Sequence, residues 1–168
     1  KTIDLVQKTL EAVNPEWNFN TFSQSLQLDD SKVYDMLCDK KTDAVFQLES
    51  DMFKGIISDI QPTCLSDITA ITSLGRPGPL ANGMPQQYAR RKNGKEDPTP
   101  LLRGMDNILK ETFGEIIYQE SVMAIGVRAF GFNGNQSDSI LRKIIGKKKK
   151  DKLEMLRRMI KYGKLNCE

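Results

Sequence analysis

The residues of this chain whose types and spacing could do chemistry lie between Ser137 and Lys152, in the run S-D-S-I-L-R-K-I-I-G-K-K-K-K-D-K. On a helix, at about 100° per residue, Ile140, Leu141, Ile144 and Ile145 gather on one side, and Ser139, Arg142, Lys143 and Gly146 on the other. That pattern predicts an amphipathic helix with a cationic outer face. Ser137 or Asp138 is the expected cap at its start, and Gly146 stands where a left-handed residue closes a helix. Lys147, Lys148, Lys149 and Lys150 follow at once.

From Arg142 to the last residue there are eleven Lys and Arg against three Asp and Glu, a net of +8. The whole chain carries +3, so the first 141 residues carry −5 and the positive charge is local. A local positive face implies a polyanionic partner. Two readings meet here. Lysines after a helix C-terminus complement the helix dipole and are commonly solvated, which accounts for the lysine run by itself. Arg142 and Lys143 are adjacent inside the helix, opposite its apolar stripe, and a glycine beyond them permits close backbone approach. Phosphate is the ligand class that suits such a pair.

Other chemistry is excluded by composition. The chain has no histidine, and Cys38, Cys64 and Cys167 have no short spacing, which removes the usual zinc patterns and every histidine-dependent catalytic arrangement and points to a reducing compartment. No Walker-type phosphate loop, G-x-S-x-G or Rossmann glycine pattern occurs. Nucleotidyl transfer needs carboxylates that hold two metal ions, and no Asp-x-Asp is present. Glu49-Ser50-Asp51 reads as a helix N-terminus. The expectation is a chain that supplies cations and shape without a metal site. There is no signal segment, and the apolar stretch around Val122 to Val127 is too short to span a bilayer, so a cytoplasmic protein with no membrane partner is expected.

The elements that must position this helix are themselves helical. At 168 residues and 39% hydrophobic content the chain has enough apolar material for a core. Spacing predicts helices over Thr2 to Val13, from Asp29 or Asp30 through Leu37, from Glu49 or Ser50 to Ile60, from Thr63 to Leu74, and from Gln119 to Phe130. Pro62 stops the third, Thr63 caps the fourth, and Gly131, Gly134 and Asn135 close the last. The segment Asn14 to Gln27 reads as a connection with few regular elements, and Ala44 to Leu48 as a short buried segment. Met84 onward predicts a helix with a basic end (Arg90, Arg91, Lys92), then a surface loop from Asn93 to Pro100. In Gly75-Arg76-Pro77-Gly78-Pro79-Leu80, the proline after Arg76 forces extended geometry there. Local physics leaves two roles open for Arg76, a solvated arginine at a helix break or a positioned anion contact. The fold class is mainly α, with at most short β segments. The start at Lys1, without a methionine or a preceding cap, suggests a piece of a longer chain.

Taken together, Val45-Phe46-Gln47-Leu48-Glu49-Ser50, Arg76-Pro77-Gly78-Pro79-Leu80, Tyr118-Gln119-Glu120 with Val122-Met123, and Leu141-Arg142-Lys143 with Gly146-Lys147-Lys148-Lys149 resemble successive motifs of the alpha subunit of bacterial DNA polymerase III, the C family of replicative polymerases. Lys92-Asn93-Gly94 and the Ile108-Leu109 before Thr112-Phe113-Gly114 fit the same order, so the resemblance spans at least Asp43 to Gly163.

The resemblance implies a placement. Residues 1–41 would be the exit from the polymerase palm and a connecting segment, and residues 42–168 the helical fingers domain, incomplete at its C-terminus. The three metal-binding palm aspartates would precede this chain. Arg142 matches the first of two basic residues that face the triphosphate of the incoming dNTP. Lys143 matches the second, where many relatives have arginine, so the charge stays while the bidentate fork is lost. Lys147, Lys148 and Lys149 match a lysine run suited to nucleotide or DNA phosphates, and Arg76 matches the arginine of R-P-G-P, structural with an anionic contact open to it. Implied partners are primer-template DNA, dNTP and, through regions outside this chain, other replicase subunits. The implied cofactor is Mg2+ held by the palm of the parent. The parent would be a DNA-directed DNA polymerase and this fragment inactive alone. A non-enzymatic nucleic-acid-binding module and a scaffold domain with solubilising lysines are the competing readings, separated from the first by the motif series.

Overall fold

The computed structural model describes residues 2–98, 104 and 106–139. The chain runs through α1 (Thr2–Val13), α2 (Phe19–Ser25), α3 (Ser31–Cys38), α4 (Asp51–Ile60), α5 (Leu65–Leu74), α6 (Pro77–Ala81), α7 (Met84–Lys92), α8 (Asp106–Leu109), a 3-10 turn (Lys110–Thr112) and α9 (Gln119–Phe130). Among the described residues there is no strand. The mainly α expectation holds.

The main core forms where α4 lies against α5 and α7. Ile56, Ile57 and Ile60 of α4 meet Ala70, Ile71 and Leu74 of α5 and Tyr88 and Ala89 of α7, with Tyr34 and Leu37 of α3 and Leu48 closing one side. The i, i+3, i+4 stripe of α4 makes this possible. Left-handed Gln61, whose N–H donates to Ile57 O, and Pro62 then stop the helix. Gly75 lets α5 end against the Phe53 ring, since a Cβ there would stand 2.2 Å from Phe53 Cε1. A second, smaller cluster joins Leu109 to Ile125 and Ala129, flanked by Ile108, Ile116 and Phe130.

Four expectations change. The segment Asn14 to Gln27 contains α2, because the Asn18 side chain accepts Thr21 N–H at 2.9 Å and Trp17 and Phe22 pack around that turn with ring centroids 6.1 Å apart. This is a capped and hydrophobically stapled start. Thr63 is not the cap of α5: Cys64 takes that position without a side-chain bond, and Asp67 reaches back to accept Thr63 N–H at 2.8 Å. Residues 44–48 are not a buried segment but two linked turns. Ala44 and Gln47 are left-handed, Thr42 Oγ1 donates to Leu48 O at 2.8 Å, and Phe46 stands 82% exposed. Ser137 and Asp138 are not caps, since both lie inside a helical stretch over 134–139. Gly131 (φ 64) ends α9, and the chain turns helical again over 134–139 behind Asn133, whose Oδ1 accepts Gln136 N–H at 2.9 Å while Gln136 Oε1 accepts Asn133 N–H at 3.0 Å. That reciprocal capping box starts the helix before Ser137, so Gly134 and Asn135 lie inside it and do not close the preceding one.

Candidate functional site

Arg142, Lys143, Lys147, Lys148 and Lys149 lie outside the described residues, as does the proposed closure at Gly146. The structure does show how the helix leading towards them is seated. Ser137, 3% exposed, donates from Oγ to Met123 O at 2.8 Å, and Phe132 N–H donates to Gly126 O at 3.2 Å. The two helices approach so closely that a Cβ on Gly126 would stand 2.3 Å from Ser137 Oγ. Glycine is required there by the contact, not by its φ. Ser137 therefore serves as an interhelical clamp.

Arg76 is the one predicted site residue within the described part. It sits at the cap position of α6 in extended geometry (φ −86°, ψ 152°), with Pro77 opening the helix behind it. Its side chain is exposed and makes no hydrogen bond or ion pair among the described residues. The rigid extended corner is as expected, and a helical turn follows it at once.

The cationic end of α7, marked in the sequence only as a basic helix end, is built into the fold. Lys92 Nζ is 3.2 Å from Asp67 Oδ2 and donates to Ile60 O at 3.2 Å and Gln61 O at 2.6 Å, while Asn93 Nδ2 donates to Asp59 O at 3.1 Å. These donors occupy carbonyls that α4 leaves open at its C-terminus and place a positive charge at the negative end of its dipole. Asp67 also faces the Tyr88 hydroxyl, whose pKa is pushed up by burial first and by the Asp67 charge second.

Arg91 spans a second junction. Its Nη1 lies 2.8 Å from Glu115 Oε1 and donates to Phe113 O at 3.3 Å, and its Nε reaches Glu96 Oε1 at 3.0 Å. Arg90 Nε meets the other oxygen of Glu96 at 3.0 Å. Hydrogen bonds from Arg90 and Arg91 hold the Glu96 carboxyl below its ordinary value. Burial pushes Glu115 above its own, with Arg91 pulling the other way. Sequence reasoning missed this network, although one signal was present. Arg91 and Lys92 stand three and four residues after buried Tyr88, so a helix puts both on its inner face and Arg90 off it. Glu115 inside the run T-F-G-E-I-I is a further signal, an acid among apolar residues.

Among the described residues no three His, Cys, Asp or Glu side chains come together to hold a metal ion. No helix in the described residues is long and apolar enough to cross a membrane.

Fold and site define a helical module that ends in a strongly basic stretch and is tied together by buried cations at helix ends. The sequence profile of the bacterial DNA polymerase III alpha subunit finger domain matches residues 2–166, and the chain belongs to that family. It is 38% identical over 157 residues to the DNA polymerase III subunit alpha of Aquifex aeolicus, covering 94% of this chain and 13% of that protein. With the same subunit of Helicobacter pylori strain J99 it shares 37% over 148 residues, 88% of this chain and 12% of the relative. With that of Staphylococcus epidermidis strain ATCC 12228 it shares 35% over 166 residues, 99% and 15%. The chain therefore spans only a small part of the length of these relatives.

Proposed function

We propose that this chain is the fingers portion of a bacterial replicative DNA polymerase and that Arg142 and Lys143 bind the triphosphate of the incoming dNTP. The observation that carries the reading is the family match, which runs through residue 166 and so includes the whole basic stretch. The seating of the preceding helix on α9 through Ser137 supports it, because a phosphate clamp works only if its helix is held at a defined angle.

In this reading residues 1–41 leave the palm and residues 42–168 form the fingers. Arg142 and Lys143 neutralise charge that develops on the triphosphate, Lys147, Lys148 and Lys149 take nucleotide or DNA backbone phosphates, and Arg76 offers one further anionic contact. Magnesium, held by palm residues of the parent outside this chain, would supply activation of the primer hydroxyl and stabilisation of the leaving pyrophosphate. The parent acts in the cytoplasm on primer-template DNA and dNTP beside other replicase subunits, and this portion alone is inactive.

The test is single-nucleotide incorporation by the full-length parent with Arg142→Ala and Lys143→Ala. A raised dNTP KM or lowered kcat at unchanged primer-template affinity supports the assignment. Lost DNA affinity with unchanged nucleotide parameters makes the helix a backbone patch and favours a general nucleic-acid-binding role.

A further inference from the structure

The helix that leads to Arg142 is coupled to the main core through a narrow stretch of chain. α7 packs on α4, α5 and α6, whereas α9 packs on α8. The two apolar clusters meet at residues 113–117: Phe113 and Ile117 pack on the larger one, Ile116 on the smaller. Phe113 (φ 51°) and Gly114 (φ 82°) are both left-handed, so the backbone reverses there in a conformation that its surroundings must impose.

The turn itself is closed locally, with Gly114 N–H donating to Leu109 O at 2.9 Å and Glu115 N–H to Thr112 O at 3.0 Å, and Arg91 ties it to the core. Among the described residues Arg91 is the only side chain of α3 to α7 that donates hydrogen bonds into this stretch, to Phe113 O and to Glu115 Oε1. The Tyr88 ring meets the Phe113 ring edge-on with centroids 5.3 Å apart. Glu115 is held from its other end too, since Thr112 Oγ1 donates to Glu115 O at 2.6 Å. Beyond Glu115 the path is defined as far as residue 139: Tyr118 opens α9, Gly131 closes it, and the Asn133 capping box and the Ser137 clamp fix the next helix on α9, the clamp five residues before Arg142 in sequence.

A buried ion pair is a poor way to gain stability, because apolar residues of similar volume fill the same space as well or better. Its best-attested use is to specify one arrangement among several. With both side chains about 10% exposed, the Arg91–Glu115 pair meets that description. We infer that Arg91 and Glu115 are positioning residues for nucleotide binding: their ion pair sets the angle between the α3–α7 core and α9, and through α9 the presentation of Arg142 and Lys143 to the triphosphate. The inference rests on the reading of those two residues given above.

The experiment uses the full-length parent polymerase with Glu115→Gln, Arg91→Lys, the double variant Arg91→Met with Glu115→Leu, and Arg142→Ala as reference. It records dNTP KM, kcat, primer-template Kd and thermal unfolding. Glu115→Gln is nearly isosteric and keeps an acceptor for Arg91, so it reports on the charge in a folded protein. The expected result is a dNTP KM raised about tenfold to a hundredfold in the single variants at unchanged DNA affinity, the scale of a small misplacement far from the chemistry. The double variant is expected to regain thermal stability while KM stays high. If KM recovers together with stability, or the single variants lower stability and leave KM alone, the pair is only structural and the inference falls. If Arg142→Ala raises KM and the pair variants do not, the inference fails while the functional reading stands. If Arg142→Ala leaves KM unchanged, that reading fails and takes the inference with it.

Discussion

Replacing Lys92 by methionine tests the argument that the end of α7 clasps the end of α4. Methionine keeps most of the aliphatic length, so the change isolates the ammonium. In the native arrangement the three donors of Nζ have three partners, Asp67 Oδ2, Ile60 O and Gln61 O, and the two charged side chains are 11% and 4% exposed. Removing one partner of a buried pair costs about 3–5 kcal/mol, because the other charge is left uncompensated. Asp67 keeps its bonds from Thr63 N–H and Oγ1, and Gln61 O turns to water, which places Lys92→Met near the lower end, about 3 kcal/mol. For a chain of this size that is a loss of roughly 6–12 °C in Tm. Urea and thermal unfolding of the 168-residue chain followed by circular dichroism measure it. Asp67→Asn retains an acceptor for Thr63 and leaves Lys92 its two carbonyls, so it should cost less. The double variant should cost less than the sum of the two. A loss below about 1 kcal/mol for Lys92→Met, the scale of a surface pair, would refute the clasp.

Three more outcomes follow from the geometry. Glu96 has a lowered pKa, so the stability it contributes is present above its ordinary value of 4.5 and is lost as pH falls through the lower folded value; Glu96→Gln should flatten the acid limb of the urea midpoint below about pH 5. Glu115, raised by burial, has the opposite sign, and Glu115→Gln should remove a fall in stability as pH rises from 4.5 upward. Gly126→Ala would gain about 1 kcal/mol from helix propensity in an open position. Here its Cβ meets Ser137 Oγ at 2.3 Å and Ser137 Cβ at 3.3 Å, so a net loss of about 1–3 kcal/mol is expected. Adding Ser137→Ala should restore only part of it, which differential scanning calorimetry would resolve.

The sequence by itself determined the helices and most of their ends. The stripe Phe53, Ile56, Ile57, Ile60, the stop at Gln61 and Pro62, the Asp30 cap of α3 and the left-handed Gly131 are local features, set by residues within four positions of one another. The caps at Asn18 and Asn133 were legible in the same terms, since Asn133 and Gln136 have capping-box spacing, but the competing Ser137 and Asp138 drew the helix start too late. Tertiary structure alone decided what the polar side chains do. Lys92 finds Asp67 across 25 residues and Arg91 finds Glu115 across 24, and only the packing of α7 on α5 and of residues 113–117 on the main core brings those pairs within 3.2 Å and 2.8 Å. The same holds for Phe46, read as buried from its apolar neighbours and exposed because Thr42, pinned to Leu48, turns the backbone outward. Charge and periodicity select a helix face from within the helix, whereas the partner of a buried charge is chosen by whichever element packs against that face.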